Sequence, residues 1–378
     1  MTSLSADPAV LVPFLDFEPS YRKLAPAILA DIATLIETNA FTNGPAVADF
    51  ERSFASYCGA PECVGVASGL DALRLALVAA PIEYGDEVIV PANTFVATLE
   101  AITQARGTPV VVDAHEDDYN LDLEAVEASV GPRTRFVMPV HLYGQLADMR
   151  RLNALAERYG LAVVEDACQA HGAERDGLRA GSLGLAGAFS FYPGKNLGAM
   201  GDAGALVTGD AELASRVRAL REHGQTRKYH HEMEGWTARL DTLQALVLLR
   251  KLPLLESWNA ERRQAAAFYF ESLAGIGDLR LPPVPSGSEP VWHLYVIRTS
   301  RPERLAEHLS REGIGTGRHY PSPVHLSRAY EYLGYRRGAF PVAERIAAEA
   351  LSLPIFPGIS EEQLEAVAAA TRRYFDDG

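Results

Sequence analysis

The chain has 378 residues, with 35 Lys+Arg against 49 Asp+Glu for a formal charge of −14, and it is 48% hydrophobic. That length and apolar content imply a large core spread over about two domains, and the acidity argues against non-specific binding to nucleic acid or anionic membranes. The absence of any run of about 18 apolar residues excludes a helical membrane span; no basic-then-apolar leader opens Met1 to Pro8, and three scattered cysteines (Cys58, Cys63, Cys168) suit a reducing, cytoplasmic setting.

Apolar runs at 63–67, 87–91, 109–113, 135–140 and 161–165 predict buried strands, with helical patterns near 70–80, 95–105, 121–130 and 148–159 between them. Continuous apolar strands separated by helices imply βαβ units and a mostly parallel sheet covered on both faces. Further strands are expected at 186–192 and 203–208, then a helical block over 240–274. The Pro/Gly/Ser-rich stretch from Leu281 to Ser288 reads as a domain seam. Beyond it the pattern gives a strand near 291–298, a helix at 302–312, a strand at 314–319 and helices after 340. The expected division is a large α/β domain over 30–255 and a smaller α+β domain from 1–29 and 256–378.

Ligands of open α/β sheets bind outside the carboxyl ends of the strands, so residues at those ends are the candidates. Only four of the basic residues are lysine: Lys23, Lys195, Lys228 and Lys251. Arginine supplies plain positive charge here, and it cannot form a Schiff base as lysine can. Lys195 sits in the turn Ser190-Phe191-Tyr192-Pro193-Gly194-Lys195 directly after an apolar strand. A loop lysine is ordinarily solvated; its scarcity and the surrounding glycines set this one apart. Asp166 ends another buried strand, where a carboxylate needs a cationic or donor partner. Such a group can keep the pyridine nitrogen of pyridoxal phosphate protonated, although a helix N-cap is the commoner use. Ser68-Gly69-Leu70-Asp71 is a small-residue turn from strand into helix, whose free amides can hold a phosphate. The turn at Lys195 is no Walker P-loop, His230-His231-Glu232 lacks zinc-protease spacing, and neither a Gly-x-Ser-x-Gly elbow nor a Gly-x-Gly-x-x-Gly fingerprint is present.

Taken together, Gly65 to Leu73, Pro91 to Phe95, Glu165 to Gly172, the Ser190–Lys195 turn, Arg239 to Ala245 and His319-Tyr320-Pro321 resemble the DegT/DnrJ/EryC1/StrS sugar aminotransferases over roughly residues 12–375. The resemblance implies an α/β fold-type I, aspartate aminotransferase-like, pyridoxal-phosphate enzyme, with pyridoxamine phosphate in the half-reaction and a homodimer sharing its active sites. It makes Lys195 the cofactor-bound lysine and proton carrier and puts Asp166 on the ring nitrogen. Gln169 would lie beside the ring and Phe95 would stack on it, with Gly69, Leu70 and Ser190 on the phosphate. The chain has Gly69-Leu70 where many members have Gly-Thr, a variant similar to the subgroup that aminates C3 of dTDP-3-keto-6-deoxyhexoses. Thr237 stands where members usually send an asparagine across the dimer to the cofactor phosphate. The basic segment Gln225 to His231 and the His319 region suggest Lys228, Tyr192, His319 and Tyr320 as contacts for a nucleotide-linked keto sugar. An amino acid, L-glutamate first, is the expected donor. The alternatives are amination at C4 and a dehydratase, which Lys195 disfavours because dehydrating members carry histidine there.

Overall fold

A computed structural model describes residues 12–376; the amino-terminal segment Met1 to Pro8 read above lies outside them. Seven strands form the central sheet: β1 (Glu62–Val66), β2 (Glu87–Pro91), β3 (Thr108–Val112), β4 (Thr134–Val137), β5 (Ala162–Asp166), β6 (Ala186–Ser190) and β7 (Gly204–Thr208). Their spatial order is β1-β7-β6-β5-β4-β2-β3, and β7 alone runs antiparallel to its neighbours.

Successive side chains of a strand point to opposite faces, and both faces here are covered. Val64, Val66, Val88, Val90 and Leu206 pack into one apolar layer with the helix Gly69–Ala79. Cys63, Ile89, Val163, Phe189 and Val207 pack into the other, against Phe50 and Phe54 of the helix Pro45–Cys58. This two-sided burial is why the strands read as unbroken apolar runs. Side-chain caps start the helices: Asp148 accepts from Arg151 N at 3.1 Å, and Asp210 accepts from Glu212 N at 2.8 Å.

A smaller layer pairs Tyr295–Arg298 with Ala350–Leu353 in antiparallel register and buries them under the helices Leu255–Leu273, Pro302–Arg311 and Glu361–Asp376. It does not stand clear of the large sheet, because Val324, Tyr330, Phe340 and Ile346 pack into the large domain's apolar layer.

Two expectations are corrected and a third is refined. Residues 314–319 form no strand; Ile314 and Gly317 make only isolated bridges, to Val12 and Ser352. Gly313, Gly315 and Gly317 leave that stretch without side chains to pack on a neighbour. The region after 340 contains a strand, Ala350–Leu353, whose four residues are all buried, between its two helices. A short apolar run carries no periodicity to distinguish strand from helix. The block over 240–274 is two helices, Thr242–Lys251 and Leu255–Leu273, joined by a 3-10 turn at Leu252–Leu254. Pro253 has no N–H for an α-helical bond there.

Candidate active site

The carboxyl ends of β2, β5 and β6 and the amino ends of the helices Gly69–Ala79 and Val96–Gln104 surround a cavity of about 490 Å³. Ser68 caps the first helix: its Oγ accepts from Asp71 N at 3.0 Å and donates to Asp71 Oδ2 at 2.9 Å. Gly69 and Leu70, the first two helical residues, line the cavity with amides that have no carbonyl to bond inside the helix. Two glycines make this approach possible. A Cβ on Gly204 would stand 2.3 Å from the Ser68 carbonyl carbon, and one on Gly69 would stand 2.6 Å from Cys168 Sγ and 2.7 Å from Ser190 Cβ. The helix start is thereby seated against the sheet, where its amides and the Ser190 hydroxyl can take an oxyanion.

Asp166, at the end of β5, is 6% exposed. Thr98 Oγ1 donates to its Oδ2 at 2.8 Å and Cys168 N donates to its Oδ1 at 3.2 Å. Thr94 in turn donates to Thr98 across 2.7 Å. Held this way, a carboxylate on a cavity wall attracts a protonated nitrogen. Lys195 lines the same cavity, and its Nζ makes no hydrogen bond or ion pair among the described residues. Burial lowers its pKa, while nearby Cys168 and Asp166 pull it back up. A primary amine so placed is a potential nucleophile and proton carrier.

Phe95, Gln169, Tyr192, His319 and Tyr320 also line the cavity. Gln169 Oε1 accepts from Tyr143 N at 2.7 Å and its Nε2 donates to Tyr320 OH at 3.1 Å. The rings of Phe95 and Tyr320 lie 5.4 Å apart, and Tyr143 OH donates to the His319 carbonyl. His319 stacks on Phe14 at 5.5 Å and shares a 2.8 Å hydrogen bond with Ser352. Burial, with Lys195 alongside, pushes its imidazole down to about 4. Burial likewise raises the Tyr320 phenol.

Ten of the twelve residues singled out from sequence therefore share one cavity. Lys228 and Thr237 do not line it. Lys228 is exposed in the hairpin of Gln225–Arg227 and His230–His231, 5.3 Å from the Tyr229 ring. Thr237 is exposed and shares a 3.1 Å hydrogen bond with His223 Nε2. Sequence reasoning missed Thr98, Tyr143 and His293, which touch or line the site. Thr94 and Thr98 did leave a signal, two hydroxyls at helical i,i+4 spacing beside Phe95.

The sequence profile of the DegT/DnrJ/EryC1/StrS aminotransferase family matches residues 23–372. Among curated proteins, the dTDP-3-amino-3,4,6-trideoxy-alpha-D-glucose transaminase of Streptomyces venezuelae is 48% identical over 363 residues, covering 96% of each chain. The dTDP-3-amino-3,6-dideoxy-alpha-D-galactopyranose transaminase of Aneurinibacillus thermoaerophilus is 45% identical, covering 96% of this chain and 99% of its own. Among solved structures, S. venezuelae DesV in complex with a ketimine intermediate superimposes with a TM-score of 0.95 at 48% identity, covering 97% of this chain and 98% of its own.

Proposed function

The chain belongs to the DegT/DnrJ/EryC1/StrS aminotransferase family, and from that premise we propose that it transfers the amino group of L-glutamate to C3 of a dTDP-3-keto-6-deoxyhexose, using pyridoxal phosphate. The observation that carries this reading is the unpaired amine of Lys195 in one cavity with the carboxylate of Asp166. The transaminase activities of the two relatives above support C3 and a dTDP-linked sugar.

The residues present fit the cofactor. The Gly69 and Leu70 amides with the Ser190 hydroxyl suit its phosphate, and the glycines at 69 and 204 let the helix start pack against the strand ends where a Cβ would collide. Asp166 suits a protonated pyridine nitrogen, Phe95 offers an aromatic wall, and Gln169 borders the ring site. When bound, pyridoxal phosphate supplies an aldehyde that takes up amines and a ring that accepts an electron pair. Burial lowers the Lys195 pKa, against the pull of Cys168 and Asp166, and its Nζ is the group that would hold the cofactor's aldehyde and carry a proton at the reacting carbon. Asp166, fixed by Thr98 and Cys168, would keep the cofactor's ring nitrogen protonated. Tyr192, His319 and Tyr320 line the cavity and would orient the sugar nucleotide.

Lys228 and Thr237 enter this reading through a homodimer in which they reach the partner's cavity. Supporting a second copy, Leu29 and Ile36, two turns apart on the helix Ala25–Thr38, are 65% and 61% exposed, and Phe41 and Met200 are also exposed. Light scattering should give twice the mass of one chain. The function is tested by offering 3-keto and 4-keto dTDP-6-deoxyhexoses with glutamate and identifying the product by NMR. A 3-amino sugar is expected. A 4-amino sugar would contradict the regiochemistry, and a deoxygenated sugar formed without glutamate would favour a dehydratase.

A further inference from the structure

Lys251 closes the helix Thr242–Lys251 and is 4% exposed. A buried ammonium ordinarily takes a carboxylate partner, and among the described residues Lys251 has none. Its Nζ donates to the Gly198 carbonyl at 2.5 Å and to the Tyr21 phenol oxygen at 3.2 Å. It lies 4.5 Å from the centre of the Tyr21 ring and 5.6 Å from that of Trp258, an aromatic box of the kind that accepts cations. Helix C-termini attract positive charge. This ammonium nevertheless reaches past its own helix end, to a carbonyl 53 residues earlier in the chain.

That carbonyl ends the turn carrying Lys195. Ala199 N donates to Phe191 O at 2.7 Å and Lys195 N donates to Tyr192 O at 2.8 Å. A Cβ on Gly198 would meet Pro193 O at 2.2 Å, so the loop shuts tightly on itself. Asn196 secures its middle, donating to Asn259 Oδ1 at 2.9 Å and to Val291 O at 2.8 Å. Tyr21 OH donates to Ala199 O at 3.3 Å, beside the Lys251 contact. Among these anchors Lys251 is the only ion.

We propose that Lys251 is a positioning residue, whose boxed ammonium grips Gly198 and thereby fixes the turn that presents Lys195 to the cavity. This rests on Lys195 being the amine that reacts with the cofactor. Lys251→Met keeps an unbranched apolar stem, one heavy atom shorter, and removes the charge and the donor. The variant should lose kcat by about tenfold with KM for both substrates nearly unchanged, since a misplaced reacting group affects the chemical step most. The pH midpoint of the visible band of the cofactor-loaded protein should move as well. Borohydride capture of pyridoxal phosphate at Lys195, mapped by peptide mass, should persist in the variant.

An unchanged kcat and band midpoint, whatever the thermal midpoint of the cofactor-free protein does, would overturn the proposal. If Lys251→Met does not fold, Tyr21→Phe decides: it removes the phenol oxygen shared by Lys251 and Ala199 and should lower kcat about twofold to threefold. Wild-type kcat in that variant counts against the clamp. Failure of capture at Lys195 in the wild-type protein strikes the reading of Lys195 alone, so the two failures remain distinct.

Discussion

At the residue scale, the site depends on how polar side chains are held. Asp166 takes one hydroxyl and one amide donor, and the hydroxyl is itself aimed by Thr94. Thr98→Val deletes that donor at nearly constant shape. Losing a hydrogen bond to a charged group costs about 1.5–3 kcal/mol, so cofactor affinity, measured by fluorescence titration, should fall at least tenfold. Wild-type affinity would show that Thr98 does not hold Asp166 in place for the ring nitrogen. The three imidazoles near Lys195 make a second residue-level statement. Burial holds His171 down to about 3 and His319 down to about 4, and it pushes His293 well below its usual value. The unfolded chain protonates histidine near its ordinary value of 6.5. Between pH 6.5 and 4 the unfolded chain therefore binds more protons than the folded one. Stability from these groups is full above 6.5 and is lost as pH falls through 4. Thermal midpoints of the cofactor-free protein should drop by several degrees from pH 7 to pH 4.5; the histidine variant His319→Gln should drop less.

At the element scale, the proposed phosphate cradle depends on contact between the first residue of β7 and the start of the helix Gly69–Ala79. Gly204→Ala would place a methyl group 2.3 Å from the Ser68 carbonyl carbon and 2.8 Å from Gly69 N, and backbone cannot yield cheaply there. The helix start must shift, so the dissociation constant for pyridoxal phosphate should rise at least tenfold. A variant that binds as tightly as the parent would mean those amides do not hold the phosphate. The elements themselves were unevenly legible in the sequence. The strands of the large sheet declared themselves because Val88, Ile89 and Val90 are buried on both faces, which leaves an unbroken apolar run. Ala350–Leu353 was hidden because four apolar-to-small residues between helices carry no period. Residues 314–319 misled in the opposite direction, as glycines removed the packing that a strand needs. The Lys195 turn and Asp166 stood out in the sequence because few residue types can do the chemistry proposed for them, and both line the cavity. Tyr143 and His293 did not, since phenols and imidazoles serve structure as often as function, and Thr98 left only its spacing from Thr94. Lys228 and Thr237, expected at the site from sequence, do not line the cavity.

At the scale of the whole molecule, the smaller layer is tied to the large sheet by charge as well as by apolar packing. Arg298, 1% exposed, donates to Glu349 Oε2 through Nε at 3.0 Å and Nη2 at 2.7 Å, and to Glu116 Oε1 at 2.5 Å. Glu116 also pairs with Arg345. This network joins the strand Tyr295–Arg298 to the loop after β3, and the same strand follows His293 and Leu294 on the cavity wall. Arg298→Ala leaves carboxylates without their buried partner and should cost about 3 kcal/mol, read as a lower thermal midpoint with the cofactor-free and loaded proteins both affected. An unchanged midpoint would mean that apolar contacts alone hold the two layers together. On the proposed reading, both layers serve to bring the amine of Lys195 to the cofactor's aldehyde. The most direct measurement is reduction of the cofactor-loaded protein with borohydride, followed by mass mapping of its peptides. A single phosphopyridoxyl group on Lys195, absent from Lys195→Ala, is the predicted result. Modification at Lys23, Lys228 or Lys251 instead, or none at all, would contradict it.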